Sequence, residues 1–477
     1  MTILDDVIGY FNPTSKLSRL RARRAISIMQ RGYDGAKTGR RSGGWITPST
    51  SANAEISVSL TKLRDRSRDL VRNNPYASKA MRVLVSNAVG VGINPSIKNK
   101  KILGLWKQSV KEFDADGQLD FYGLQRLIVR TVFESGECLV RFRYRKAEDG
   151  LLVPLQIQVL EPDYIDSNKT ENLRNGGYIQ NGIEYDAIGK RVAYWLFKQH
   201  PGEVSPIMNG IQSSRIDAKD IIHIYEKLRP GQARGVPIFS SVMMMQNDLD
   251  EYEEATLVRK AAEACIAAFV QSDDEGASIG ITSTEDNRRI EELAPGMVEY
   301  LSNGESVTFN NPPASTGYAE YVNNRLHAIA AGIGITYEQM TGDLSQVNYS
   351  SIRAGTLDFR REIEQFQWLT FIPMFCERVM TTWLNVAALT HNIKTDIEVE
   401  WTTPKWDWVD PVKDVEGEKM ELALYLKSFS ESSRKRGCDL ELVLQEVEKD
   451  MKLFEKYNVP YPNIMDSLMR NNNELSK

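Results

Sequence analysis

The residue that first invites a chemical reading is a serine. Gly276-Ala277-Ser278-Ile279-Gly280 fits the G-x-S-x-G pattern of a nucleophile elbow. Such an elbow needs a buried strand running into the serine and a helix leaving it. Here Asp273-Asp274-Glu275 precedes the motif and reads as an exposed acidic turn. A serine hydrolase using Ser278 is therefore kept only as an alternative. His200, His223, His327 and His391 lack metal-ligand spacing. The phosphate loop G-x-x-x-x-G-K-[ST], HExxH and the EF-hand loop do not occur. Gly90-Val91-Gly92 lacks a third glycine and follows a helical pattern, so it is no dinucleotide loop. Asn168-Lys169-Thr170 and Asn348-Tyr349-Ser350 match the glycosylation sequon by chance. The expectation is no catalytic residue, no metal, no cofactor and no enzyme activity.

What remains is charge. From Gln246 to Glu254 the chain carries Asp248, Asp250, Glu251, Glu253 and Glu254 with no Lys or Arg. A lone run of this kind is usually a solvated face. Its setting is unusual. Arg229-Pro230-Gly231-Gln232-Ala233-Arg234-Gly235-Val236-Pro237 forms a punctuated loop, and no glycine or proline follows until Gly276. Pro237 suits a first helical turn, and Ile238, Val242, Met245, Leu249 and Tyr252 recur at helical spacing. The pattern predicts a helix from about Ile238 to Ala268, roughly 45 Å long. Asp248, Glu251 and Glu254 fall on one of its faces.

Elsewhere the fold reads as α+β and mainly helical. Residues 1–55 form a basic arm, with a short helix expected from Leu17 to Met29. It would contact DNA or a neighbouring subunit, or simply be solvated. Helical patterns cover Ile56–Ala88, broken at Asn73-Asn74-Pro75, and two more helices lie within 102–136. Strands are expected at Leu139–Phe142, Leu155–Leu160, around Tyr178, Ile183 and Tyr185, at Val192–Phe197 and at Ile221–Tyr225. Asn181-Gly182 and Ile188-Gly189 mark turns. Further on come a helical piece near Glu285–Leu293 and a hairpin joining Val298–Leu301 to Val307–Phe309 about Asn303-Gly304. A helix follows at Tyr318–Ile333, then the glycine-rich polar loop Thr341–Ser350. A second long helix starts near Ser351, with Ile352, Phe359, Ile363 and Phe366 on one face and a kink at Pro373. Trp401–Pro411 reads as irregular, 412–457 as charged helices, and the tail from Asn458 as frayed.

The 477 residues suggest several domains, and 42% hydrophobic content supports a packed core. No apolar run is long enough for a membrane span, and Asp5-Asp6 stand where a secretory signal would be basic. Cys138, Cys265, Cys376 and Cys438 are scattered, as in a reducing compartment. A net charge of −5 argues against gripping phosphates over the whole surface.

Read together, several blocks resemble the lambda-like family of tailed-bacteriophage portal proteins. They are Arg66–Pro75, Asn87–Ile93, Glu134-Ser-Gly-Glu137, Leu160-Glu-Pro-Asp163, Gly182–Asp186, Arg229–Pro237, Leu293–Gly296, Thr341–Leu344, Asn348–Ser351 with Arg353, and Trp408–Pro411. Each is weak alone; their order over most of the chain is specific. The resemblance implies a homo-oligomeric ring, usually a dodecamer, at the capsid portal vertex of the virion, made in the host cytoplasm. Through it the genome is packaged and later ejected. Implied partners are double-stranded DNA, terminase, the major capsid protein and head-completion or tail connector proteins, with no membrane. Implied regions are a wing (56–237), stem helix (238–268), clip (269–316), second stem helix (317–339) and tunnel loop (340–350). A long kinked helix with a return to the wing (351–411) and a helical crown and tail (412–477) complete the set. Asp248, Glu251, Glu254, Asp343, Ser345, Gln346 and Asn348 are then expected to line the DNA channel. A channel-less capsid scaffold is the other alternative.

Overall fold

The computed structural model describes residues 49–203, 212–265, 268–271, 281–285, 288–292, 306–309, 317–345, 348–407, 410–438 and 440–460. The chain divides into two compact units, Met1–Ser51 and Ala52–Lys477. Residues 1–48 of the basic arm, Ser278, Val298–Leu301, Gln346 and the tail beyond Pro460 lie outside the described residues, while the last residues of the expected arm, from Ala52, already belong to the first helix.

The second unit opens with helices α1 (Ala52–Asn73) and α2 (Pro75–Val89). The Asn74 side chain accepts from Ala77 N, and Pro75 takes the first helical position, where no N–H is needed. Strand β1 (Asn94–Ile97), α3 (Lys100–Ser109) and α4 (Phe121–Ser135) follow. Asp120 caps α4, and Gly136 ends it in the left-handed conformation. Next come β2 (Glu137–Tyr144), β3 (Leu155–Leu160), β4 (Glu171–Asn172), β5 (Tyr178–Gln180), β6 (Ile183–Tyr185), β7 (Arg191–Phe197), β8 (Ser213–Asp217) and β9 (Ile221–Tyr225). They make two antiparallel sheets, ordered β3-β2-β9 and β4-β5-β6-β7-β8. The β5–β6 hairpin turns at Asn181 and Gly182, both with positive φ, as a two-residue turn of that type requires.

The long helix, α5, runs Met243–Cys265. The expected start at Ile238 is corrected: Ile238–Ser241 is a tighter 3-10 turn that puts Phe239 fully into the core. The expected end at Ala268 is corrected too. Ala268–Gln271 is strand β10, and its partner is β13 (Ser306–Phe309). Val307–Phe309 is thus a strand as expected, but its described partner is β10. The helical piece near Glu285 is instead a hairpin of β11 (Ile281–Glu285) and β12 (Arg288–Glu292). The β-branched run Ile-Thr-Ser-Thr beside it supplies a pairing partner that local propensity does not register.

Helix α6 (Tyr318–Ile333) matches expectation, and α7 (Tyr337–Thr341) follows. Helix α8 (Tyr349–Phe366) passes into a π-helical stretch, Gln367–Cys376, and on into α9 (Glu377–His391). At Pro373, where a kink was expected, the chain takes the wider π turn, which tolerates the missing N–H. The segment from Trp401 is less irregular than expected. Strand β14 (Val399–Thr402) pairs with β1 some three hundred residues earlier, opposing Trp401 and Pro95. Helices α10 (Pro411–Ala423), α11 (Phe429–Lys435) and α12 (Leu440–Lys456) end the described chain.

The main core joins α2, α4, one face of β2, α6, α8, the π stretch and α9. Trp106 sits within it, 5.1 Å from both Phe121 and Trp383. A smaller core of Leu139, Leu160, Ile183, Tyr194, Leu196 and Ile221 lies between the two sheets.

Candidate channel-facing elements

Helix α5 has two faces. Val242 and Leu249 are buried, and Met245 and Tyr252 half-buried, as the spacing predicts. The buried amide of Gln246 donates to Asn74 Oδ1 at 2.6 Å, and Asn74 Nδ2 donates to Asp250 Oδ1 at 2.8 Å. One asparagine therefore caps α2 and fastens the root of α5. The five-acid run divides accordingly. Asp250 is tied to Asn74 and Glu253 is half-buried, where burial and the charge of Asp250 raise its carboxyl. Asp248, Glu251 and Glu254 are exposed together and form no ion pair among the described residues.

Helix α6 packs against α5 in antiparallel sense. Ser241 Oγ donates to Gly332 O at 3.2 Å at one end. At the other, Tyr252 stacks on Tyr318 and tilts against Tyr321, with centroids 5.8 and 4.7 Å apart. A Cβ on Gly332 would stand 2.4 Å from Val242 Cγ1, so the close approach there needs glycine. Past Tyr252, Leu257 and Val258 are exposed, while Lys260 lies over the Tyr318 ring.

The polar loop is shorter and better anchored than its composition predicts. Met340 and Thr341 belong to α7, whose Thr336–Gln339 capping box is complete. Asn348 is the N-cap of α8 and accepts from Ser351 N at 2.9 Å. Asn348, expected as a channel residue, is exposed and also holds a helix terminus. Asp343, fully exposed, accepts from Ser345 N at 2.9 Å, and that bond lowers its carboxyl pKa. Among the described residues no hydrogen bond or ion pair joins Asp343, Ser345 or Asn348 to the α5 acids; they are separate features.

The strongest polar construction was not singled out as a site. Glu137, wholly buried, accepts from Arg234 Nη2 at 2.5 Å and from Gly235 N at 2.9 Å. His223 Nε2 lies 3.0 Å from its other oxygen, and Arg191 Nη1 lies 3.2 Å from His223 Nδ1. Arginine can only donate, so Nδ1 accepts, and Nε2 carries the proton given to Glu137. Burial opposes the Glu137 charge, but Arg234 and His223 outweigh it and hold the carboxyl well below its usual range. Burial pushes His223 down to about 4, so it is neutral. A Cβ on Gly235 would sit 1.9 Å from Gly136 O; the two backbones touch. Gln232 braces the loop from within, accepting from Leu228 N and Arg229 N. The residues leading into α5 are thereby bolted to the middle strand of the three-stranded sheet.

Glu161, Asp163 and His200 also converge, with possible ligand atoms within 4.8 Å of one another. Arg64 and Arg68 already lie 3.1 and 2.6 Å from Asp163, supplying the positive charge a cation would bring.

Residues 38–367 match the family described as phage portal protein, lambda family. The chain belongs to that family. The probable portal protein of Halomonas phage phiHAP-1 is 28% identical over 472 residues, covering 91% of this chain and 89% of that one. Portal protein B of Escherichia phage lambda is 23% identical over 474 residues, covering 86% and 87%. Among solved structures, the neck of a native GTA particle computed with C12 symmetry aligns over 83% of this chain and 96% of that chain, with 15% identity and a TM-score of 0.46.

Several blocks that carry the portal resemblance make long-range contacts, two of them directly with another block. Arg68 of the first binds Asp163 of Leu160–Asp163. Glu137 of Glu134–Glu137 binds Arg234 of Arg229–Pro237. Ala88 of Asn87–Ile93 accepts from Gln367, while Ile93 exchanges two hydrogen bonds with Gln125. Arg353 pairs with Asp414. In this portal protein these contacts tie distant parts of the body together. No helix among the described residues is long and apolar enough to cross a membrane.

Proposed function

We propose that this portal protein assembles as a closed homo-oligomeric ring, of twelve copies, at the capsid portal vertex. Double-stranded DNA passes through its channel when a docked terminase packages the genome, and again on ejection. Helices α5 and α6 are the stem, and the segment between them is the clip that meets terminase and then the head-completion or tail connector proteins. The wing contacts the major capsid protein. The chain is structural and performs no catalysis; hydrolysis belongs to the motor.

The observation that carries this reading is the antiparallel α5–α6 pair, rooted in the body, which leaves the carboxylates of Asp248, Glu251 and Glu254, without a described ion pair, and the apolar Leu257 and Val258 exposed. A ring needs two different complementary faces on each subunit, which exposed apolar residues on a projecting helix supply. A channel through which DNA slides should not neutralise phosphates, because each such contact releases counterions and binds. Asp248, Glu251 and Glu254 suit the lining, and Asp343, Ser345, Gln346 and Asn348 a narrower belt.

Native mass spectrometry of the purified chain tests assembly. A discrete ring mass is expected, and a strict monomer at micromolar concentration across a range of salt contradicts it. Replacing Asp343–Val347 with two glycines tests the belt. The caps at Thr336 and Asn348 are untouched, so rings should form and dock the motor, while full-length packaging or genome retention fails. Virions with normal DNA content and retention would leave the loop without a channel role.

A further inference from the structure

On β2, Glu137 and Leu139 share one face, and Arg141, Arg143 and, one residue past the strand's end, Arg145 continue it beyond the smaller core. Arg141 and Arg143 are half-buried and Arg145 is exposed. None of the three forms an ion pair with a described carboxylate. Other arginines are matched to acids, among them Arg68 to Asp163, Arg215 to Glu184, Arg234 to Glu137 and Arg434 to Glu400, while some exposed ones, such as Arg66 and Arg82, pair with no described acid. On β2 the tether is neutral. Arg143 Nε donates to Gln158 Oε1 at 2.9 Å and Arg145 Nε to Gln156 Oε1 at 2.8 Å. Gln156 is itself fixed, since its Nε2 donates to the backbone oxygens of Glu112 and Asp114. Two guanidiniums are thus held in place by acceptors that leave their charge uncompensated. Burial and then the charges of Arg141 and Arg145 lower the pKa of Arg143, as expected of a crowded, unmatched row.

We propose that Arg141, Arg143 and Arg145 form a binding row for the phosphodiester backbone of DNA, outside the acidic stem. Alternate residues on a strand stand about 6.7 Å apart, close to the step between successive phosphates on one strand. Guanidinium forks favour phosphate oxygens, and Gln tethers fix their direction in advance. This rests on the portal reading for its DNA. It gives the wing the opposite task to the stem, which is to hold a segment of genome rather than let it slide.

The test uses the full-length chain assembled as rings, a blunt duplex of about thirty base pairs, and anisotropy over a salt series. Losing three phosphate contacts in R141Q/R143Q/R145Q should reduce the slope of log affinity against log salt by about 2.7. Affinity at low salt should fall roughly tenfold or more. The R141K/R143K/R145K rings should keep most of the slope. An unchanged slope in intact Gln-variant rings overturns the proposal. So does loss of assembly in the Gln variant with retention in the Lys variant, which would make the row a subunit contact. Loss of polyglutamate binding with duplex binding untouched would mean an acidic protein partner and would also overturn it. Failure of the unsubstituted chain to form rings would count against the portal reading; intact rings with an unchanged slope would count against the arginine row alone.

Discussion

At the scale of single residues, Glu137 and Asn74 do most to fix where α5 begins. Removing one partner of a buried pair leaves the other charge unmatched, so Glu137→Ala should lower unfolding free energy by about 3–5 kcal/mol, read from denaturant midpoints. Protonation gives a second reading. His223 has a folded-state pKa of about 4, below its ordinary value near 6.5, so only the unfolded chain gains that proton in between. Stability should therefore fall as pH drops from about 6.5 to about 4, and fall further as unfolded Glu137 protonates. His223→Gln, which can still donate to Glu137, should flatten the upper part of that curve in thermal melts taken from pH 7 to 4. None of this pairing was legible in the sequence. The blocks holding Glu137 and Arg234 stood out as family patterns, but local spacing does not reveal which residues meet across nearly a hundred positions. The shared face of Asp248, Glu251 and Glu254 was legible from their spacing, and all three are exposed; that Asp250 turns to Asn74 depends on what α5 packs against.

Among elements, those with a clear period were read well: α2, α6, β3, β7, β9 and the Asn181-Gly182 hairpin all fall close to where the pattern put them. Several misses share one cause, strand pairing, whether with a distant partner or with a neighbouring hairpin strand. Residues 268–271, 288–292 and 399–402 become strands because a partner is available, and such competition overrides local helical or irregular character. The start of α5 moved for a packing reason, since the 3-10 turn lets Phe239 bury. The contact of α5 with α6 at Gly332 yields a sharp prediction. Gly332→Val forces a side chain into Val242, which is itself fully buried, and overpacking of this kind costs about 1–3 kcal/mol. The thermal midpoint should fall, and adding Val242→Ala should restore part of the loss. Equal midpoints for the variant and the parent chain would mean that the two helices are not locked there.

For the whole molecule, the family was readable from ordered blocks, and two pairs of those blocks meet in the body, through Arg68 with Asp163 and Glu137 with Arg234. Assembly is the level above. Reversing Asp248, Glu251 and Glu254 to lysine touches exposed positions, so folding should change by less than about 0.5 kcal/mol per site. Rings carrying the triple reversal should retain duplex DNA at low salt and release it steeply as salt rises. Normal packaging by that variant would remove the acidic row from the channel. The most direct test of the central claim is electron cryomicroscopy of the purified, assembled chain. A closed ring is expected, with a central channel walled by α5 and α6 and with the Asp248, Glu251 and Glu254 side chains turned into the lumen. A particle with no through-channel, or a ring in which those three carboxylates lie against a neighbouring subunit, would contradict it.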